Sequence, residues 1–257
     1  MTRGSSALIL AAAIAIACAG CAAAPPPLAT GPAIPAAGRP IVYAALGASE
    51  TAGTGLNDLS LRSRYAWPQL FFNAALPRAA TYYNFAVPGI TTQDALRDEV
   101  PAALAVHPAV VTVFFNIDDL INGVSPADFE AHLQSIVQAV RQGGRARVLV
   151  GNAPTIDHLP AFMACEGLSF EGVKCPVPAG VAIPSQVTID ATVNAYDIAI
   201  AEVVRREGAV LVDVRARSDE LTTHPEYLAA DGLHPSPLGD QLLAELFVVA
   251  NRSAGGL

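Results

Sequence analysis

The chain has little positive charge: 15 Lys and Arg stand against 23 Asp and Glu, a formal net charge of -8, and the basic residues form no cluster. Affinity for a phosphate backbone comes largely from cationic side chains that displace counterions, so a nucleic-acid partner is excluded. Internal repeats are absent, which excludes a solenoid or propeller. Phosphate-loop chemistry is missing too, because the glycine-rich Gly53-Thr54-Gly55 has no Lys-Ser/Thr after it. Cysteine is scarce, with four in all, and only Cys165 and Cys175 lie outside the N-terminal region. What is abundant is apolar: 52% of 257 residues are hydrophobic, enough for one globular domain with one large core.

Part of that apolar excess lies at the N-terminus. Arg3 precedes an uncharged stretch from Ala7 to Ala24 containing Leu8, Ile9, Leu10, Ile14 and Ile16. A basic start before an apolar core predicts a secretory signal over residues 1–21; a retained membrane helix is the competitor, weakened by the many alanines. The run ends Ala17-Cys18-Ala19-Gly20-Cys21, which resembles a bacterial lipobox with Cys21 as the acylated residue. Cys18 stands where an aliphatic residue is usual, so Cys18 is the alternative acylation site and plain secretion stays open. Residues 22–39 are nearly all Ala, Pro and Gly and predict an extended tether, with the folded domain over 40–257. In an oxidising compartment Cys165 and Cys175 are expected to form a disulfide, with two unpaired buried thiols as the alternative.

Within the domain, β-branched runs at Ile41–Leu46, Thr81–Ala86, Val110–Phe115, Val148–Gly151 and Val210–Val214 alternate with helical patterns. Unbroken apolar strands with helical crossovers predict a mostly parallel, roughly five-stranded sheet covered on both faces, a three-layer α/β/α sandwich. Ser125-Pro126-Ala127-Asp128 supplies a cap, a first-position Pro and an acid, after which Phe129, Leu133, Ile136, Val137 and Val140 line one face until Gly143-Gly144. Ile189, Val193, Tyr196, Ile200, Val203 and Val204 form a second stripe, closed by Arg205, Arg206 and Gly208, and a third helix begins at Ser236-Pro237.

In open parallel sheets ligands bind beyond the C-terminal ends of the strands. There the chain carries Gly47-Ala48-Ser49-Glu50-Thr51, Val87-Pro88-Gly89, Asn116-Ile117-Asp118-Asp119 and, near the C-terminus, Asp231-Gly232-Leu233-His234-Pro235. A serine hydroxyl needs a base, and an imidazole serves reliably when a carboxylate fixes its tautomer. Ser49, His234 and Asp231 fit those roles, with Asp231 close enough in one loop to reach the ring. Each alone has a plainer explanation, a helix cap or a turn. The Ser, Asp, His order also occurs in α/β-hydrolases, but their Gly-x-Ser-x-Gly elbow is not met, since Thr51 replaces its second glycine.

Leu46-Gly47-Ala48-Ser49 resembles the first block of the SGNH/GDSL hydrolases. Asn84-Phe85-Ala86-Val87-Pro88-Gly89 resembles their glycine block, and Asp231-Gly232-Leu233-His234-Pro235 their terminal Asp-x-x-His-Pro block. The blocks come in family order and span nearly all of the domain. The resemblance implies a flavodoxin-like fold, a Ser49–His234–Asp231 triad, oxyanion donors from the N–H groups of Ser49 and Gly89, and no cofactor or metal. One block departs. Where the family has Gly-x-Asn-Asp, this chain has Asn116-Ile117-Asp118-Asp119, so the expected amide donor is an acid. Three readings follow: Asn116 reaches in instead, which is favoured; a protonated Asp118 donates; or two backbone donors work alone.

The expected activity is serine-dependent hydrolysis of carboxylic esters by a monomer at the cell envelope or outside the cell. Substrates open to it are short acyl esters, acetylated sugars, lysophospholipids and thioesters, with a membrane partner only through the lipid anchor. The alternative is a non-catalytic ligand- or glycan-binding protein with an impaired oxyanion hole. A metal site from Asp118, Asp119, Asp231 and His234 ranks far below either. His107, His132 and His224 are read as surface or loop residues, and Asp157-His158 as a candidate cleft contact. Phe114, Phe115, Leu59 and Leu61 hint at apolar surroundings, although strand-end aromatics are more often core.

Overall fold

A computed structural model describes residues 40–177, 182 and 184–256. The signal segment with Cys18 and Cys21, and the tether over 22–39, lie outside the described residues. Five strands, β1 (Val42–Gly47), β2 (Thr81–Asn84), β3 (Val110–Phe114), β4 (Arg147–Gly151) and β5 (Val210–Val212), form one sheet in the order β2-β1-β3-β4-β5. Every neighbouring pair is parallel. The helices are α1 (Ser49–Ala52), α2 (Leu59–Tyr65), α3 (Trp67–Ala75), α4 (Thr92–Ala105), α5 (Ile117–Ile121), α6 (Pro126–Arg141), α7 (Pro160–Cys165), α8 (Gln186–Glu207), α9 (Asp219–Thr223) and α10 (Pro237–Ser253). Among the described residues no helix is long and apolar enough to cross a membrane.

The strands read as unbroken apolar runs because each face of the sheet is covered. Ala44, Leu46, Val111, Val113, Val148 and Val150 point to one side and pack with α4, α6 and α8. Their alternates Tyr43, Ala45, Phe114 and Leu149 point to the other, against α3 and α10. On that second face Trp67 stacks on Phe247 with ring centres 4.2 Å apart.

The capping signals act as their chemistry dictates. Ser125 Oγ accepts the N–H of Asp128 at 3.1 Å, Gly208 closes α8 at φ 64°, and Ser236 caps α10. The edge strands are shorter than the apolar runs suggest. β2 stops at Asn84, whose side-chain amide donates to the Thr51 carbonyl and accepts from the Ala86 N–H, turning the chain away. β5 stops at Val212, where Val214 N–H folds back onto the Val212 carbonyl. Helix α4 carries Pro101 and buries Thr92 and Glu99 beside Ala95, Val100 and Ala103, so its apolar stripe is broken and periodicity does not reveal it.

Candidate active site

The order of the strands reverses beside β1, and the chain leaving β1 and its neighbour β3 supplies two walls of the site. The loop before α10 supplies a third. In it Asp231 uses both oxygens: Oδ1 accepts the backbone N–H groups of Leu233 and His234, each at 3.0 Å, and Oδ2 holds His234 Nδ1 at 2.7 Å. The three-residue spacing therefore lets one carboxylate shape the turn and orient the ring, which leaves Nε2 for proton transfer. Burial alone would raise the Asp231 pKa, but these bonds outweigh it and bring it to about 2. Burial works to lower that of His234, yet the bond to Asp231 and the charges of Glu50, Asp231 and Asp118 raise it above its ordinary value.

Ser49 opens α1 and is partly exposed, and its Oγ donates to Glu50 Oε2 at 3.3 Å. Glu50 is itself buried, and its charge raises the pKa values of His234, Asp118 and Asp240. Gly89 is exposed at φ 82°, a conformation that side chains rarely adopt.

The two candidates for a third donor are placed differently. Asn116 is buried, and its Oδ1 turns back to cap α5 by accepting the Ile117 N–H at 2.7 Å. Asp118 is partly buried, and its Oδ2 is buried without a hydrogen-bond partner. Burial first, then the charges of Glu50 and Asp119, push its pKa up to about 7.

The roles of three residues escaped sequence reasoning. Glu99, 1% exposed, accepts the N–H of Gly47 at 3.0 Å and of Val87 at 3.1 Å, tying the serine loop to the glycine loop. Its signal was an acid on the buried stripe of α4, four residues from both Ala95 and Ala103. Asp119, fully buried, takes the Thr92 N–H at 3.1 Å and the Thr92 hydroxyl at 2.6 Å, fixing the start of α4 against α5. Gly55 packs on the histidine loop, where a Cβ would stand 2.1 Å from the Pro235 carbonyl oxygen.

Of the remaining histidines, His107 and His224 are exposed, and His132 lies 3.4 Å from the Thr92 hydroxyl. Asp157 pairs with the exposed His158 at 3.3 Å. Phe114 and Phe115 are core, whereas Leu59 is 78% exposed and lines nothing. Among the described residues no group of three His, Cys, Asp or Glu is arranged to hold a metal ion.

Cys165 and Cys175 are disulfide-bonded. The loop they close and α7 before it lie against the histidine loop: Ala161 N–H donates to the Gly232 carbonyl at 3.2 Å, and a Cβ at Gly232 would meet Pro160 and Val173. Replacing both cysteines by serine should remove about 3 kcal/mol of stability, because the unfolded chain regains the entropy the crosslink denied it. Urea denaturation of the double variant beside the parent checks this, and equal midpoints would refute it.

The model of the GDSL-like lipase/acylhydrolase family matches residues 45–242. The chain is similar in structure to the lipase/acylhydrolase from Enterococcus faecalis, at 22% identity and TM-score 0.58 over 83% of this chain and 96% of that one. It is likewise similar to a catalytic mutant of an acetylxylan esterase from Geobacillus stearothermophilus, at 18% identity and TM-score 0.58 over 84% and 95%. The structure of TesA aligns at 21% identity and TM-score 0.58 over 83% and 99%. At such identities the likeness is one of fold. No curated protein matches the chain.

Proposed function

The chain belongs to the GDSL-like lipase/acylhydrolase family, and from that premise we propose that it hydrolyses carboxylic esters by acyl transfer through Ser49. The observation that carries this reading is the Asp231–His234 bond of 2.7 Å, which orients the imidazole by its Nδ1. Ser49 Oγ attacks the ester carbonyl carbon and its proton passes to His234 Nε2. The tetrahedral intermediate collapses, the leaving alkoxide takes that proton, and an acyl-serine remains. Water, deprotonated by His234, then attacks the acyl carbon; the acid departs and Ser49 regains its hydrogen.

The negative oxygen of each intermediate is held by the N–H groups of Ser49 and Gly89 and, in this reading, by the protonated carboxyl of Asp118. Asp118 is favoured over Asn116 because its Oδ2 is buried without a partner, whereas the Asn116 oxygen is engaged in capping α5. An ionised Asp118 would repel the oxyanion, so the donor works only while protonated.

The acid at position 118 favours a second reading, a ligand-binding protein whose oxyanion hole is impaired. A fluorophosphonate probe separates the two. Labelling of Ser49 that is lost in His234→Ala supports the esterase, and no labelling of the folded parent favours the binder. We further propose export and anchoring at Cys21, supported by the apolar N-terminal run and the small residues before that cysteine. Cys21→Ala should move the protein out of the membrane fraction; an unchanged distribution would refute the anchor.

A further inference from the structure

β1 and β2 part company before either loop of the site begins. Their paired register ends at Ala45 and Asn84, while β1 runs on to Gly47. Past that point the chain leaving β2 still donates to β1, Phe85 N–H to the Ala45 carbonyl at 2.9 Å and Val87 N–H to the Gly47 carbonyl at 3.2 Å. The return bond is replaced by a side chain: Gly47 N–H donates to Glu99 Oε2 at 3.0 Å, and Val87 N–H is shared with Glu99 Oε1 at 3.1 Å. One carboxyl group from α4 therefore sits where the two strands diverge and holds both. It is 1% exposed, on a helix face it shares with Ala95, Val100 and Ala103. An apolar side chain of similar size would fill that place without the desolvation cost of a carboxyl, so packing alone does not account for the acid.

What the two gripped N–H groups have in common is their place in the chain. Gly47 comes two residues before Ser49, and Val87 two residues before Gly89. Gly47 transmits the grip because it has no slack: a Cβ there would stand 2.6 Å from the Phe114 carbonyl oxygen, and Ala48 after it is buried. The glycine loop is held at both ends, Val87 by Glu99 and Thr92 by Asp119, with Ile90 N–H closing the turn between them onto the Val87 carbonyl at 3.2 Å. Gly89 itself is exposed and a Cβ on it would touch nothing within 4 Å, so no packing fixes its N–H and the ends of the turn must.

We propose that Glu99 is a positioning residue of the oxyanion hole: by holding Gly47 and Val87 on its two oxygens it sets the separation of the Ser49 and Gly89 N–H donors, and so acts on kcat and not on substrate binding. This rests on the esterase reading above. The donors meet full negative charge only in the tetrahedral intermediate and the transition states flanking it, so an error in their spacing leaves the bound ester almost untouched and is felt in the chemical step. A misplacement of about 1 Å costs on the order of 100-fold in rate.

The test is kcat and KM for p-nitrophenyl butyrate in the parent, Glu99→Leu and Glu99→Gln, with melting curves to report folding. Glu99→Leu releases both loops and should lower kcat about 100-fold with KM within about threefold of the parent. Glu99→Gln keeps the shape and one acceptor, and should recover about tenfold of that loss. A trifluoromethyl ketone gives a second readout: Ser49 Oγ adds to its carbonyl carbon, His234 takes the hydroxyl proton, and the carbonyl oxygen becomes the oxyanion. Its affinity should fall across the variants by the same factors as kcat. A folded Glu99→Leu that melts lower but keeps the kcat of the parent shows an acid that is merely structural and overturns the proposal, as does a loss carried by KM or an unchanged affinity for the ketone. Should Glu99→Leu not fold, Glu99→Gln decides, and a kcat equal to the parent's overturns it. If the parent cleaves no ester at all, the esterase reading falls by itself. The positioning is then read from the ¹⁵N–¹H signals of Ser49 and Gly89: displacement of both in Glu99→Gln supports it, and signals that coincide with the parent's overturn it.

Discussion

Ser49→Ala should lower kcat for p-nitrophenyl butyrate by about 10⁴- to 10⁶-fold, to whatever residual rate the remaining donors sustain. Nothing else near the site replaces the oxygen, because Thr51 Oγ1 is buried and Thr54 Oγ1 likewise. Asp231→Asn should cost on the order of 10⁴-fold, since an amide at 2.7 Å from Nδ1 no longer fixes the tautomer or stabilises the charged ring. The double variant should be scarcely worse than Ser49→Ala, for the groups act as a unit. Equal rates in the parent and Ser49→Ala on every ester would remove the nucleophile from the mechanism. If Asp118→Asn then switched activity on, the oxyanion hole of the parent would be the disabled part.

In an active parent, Asp118→Asn should instead widen the pH range. The working form needs His234 neutral and Asp118 protonated. The first requires a pH above a histidine pKa that Asp231, Glu50 and Asp118 have raised; the second requires a pH below about 7. Both limbs therefore bound kcat/KM, the acid one above the ordinary histidine pKa and the alkaline one at about 7. An asparagine donates at every pH. At pH 9, two units above the carboxyl pKa of about 7, only about 1% of the parent would carry the needed proton, so the variant should be about 100-fold faster there. A variant no faster than the parent at pH 9 would show that Asp118 is not the donor. Asn116→Ala should leave the alkaline limb in place in either case, its effect falling on the cap of α5.

Much of the architecture was legible because it is written in short-range periodicity. Val110 to Phe114 is apolar at nearly every position, which only a sheet covered on both faces tolerates, and the α6 and α8 stripes repeat at helical spacing between a capping serine and a closing glycine or αL residue. Helix α4 was not legible, because its buried face includes Thr92, Glu99 and a proline neighbour in place of a clean apolar stripe. The polar residues on that face serve loops that are distant in the chain: Glu99 reaches back 52 residues to Gly47, and Thr92 meets Asp119 across 27.

The same division runs through the site. Asp231 and His234 are three residues apart in one turn, so their contact is a local matter that spacing determines. The disulfide is likewise local, closing a sequence separation of 10. Which of Asn116 and Asp118 is free to donate is not local. They sit two residues apart, and the start of α5 turns the Asn116 oxygen back onto its own backbone while Asp118 Oδ2 stays buried without a partner. The sequence by itself determined the layers, the strand-end positions of the reacting groups and the Asp231–His234 geometry, all of which follow from residue type and spacing. Tertiary structure alone decided the long-range partners, Glu99 to two loops and Asp119 to Thr92, because side-chain direction across tens of residues depends on how helices and strands pack.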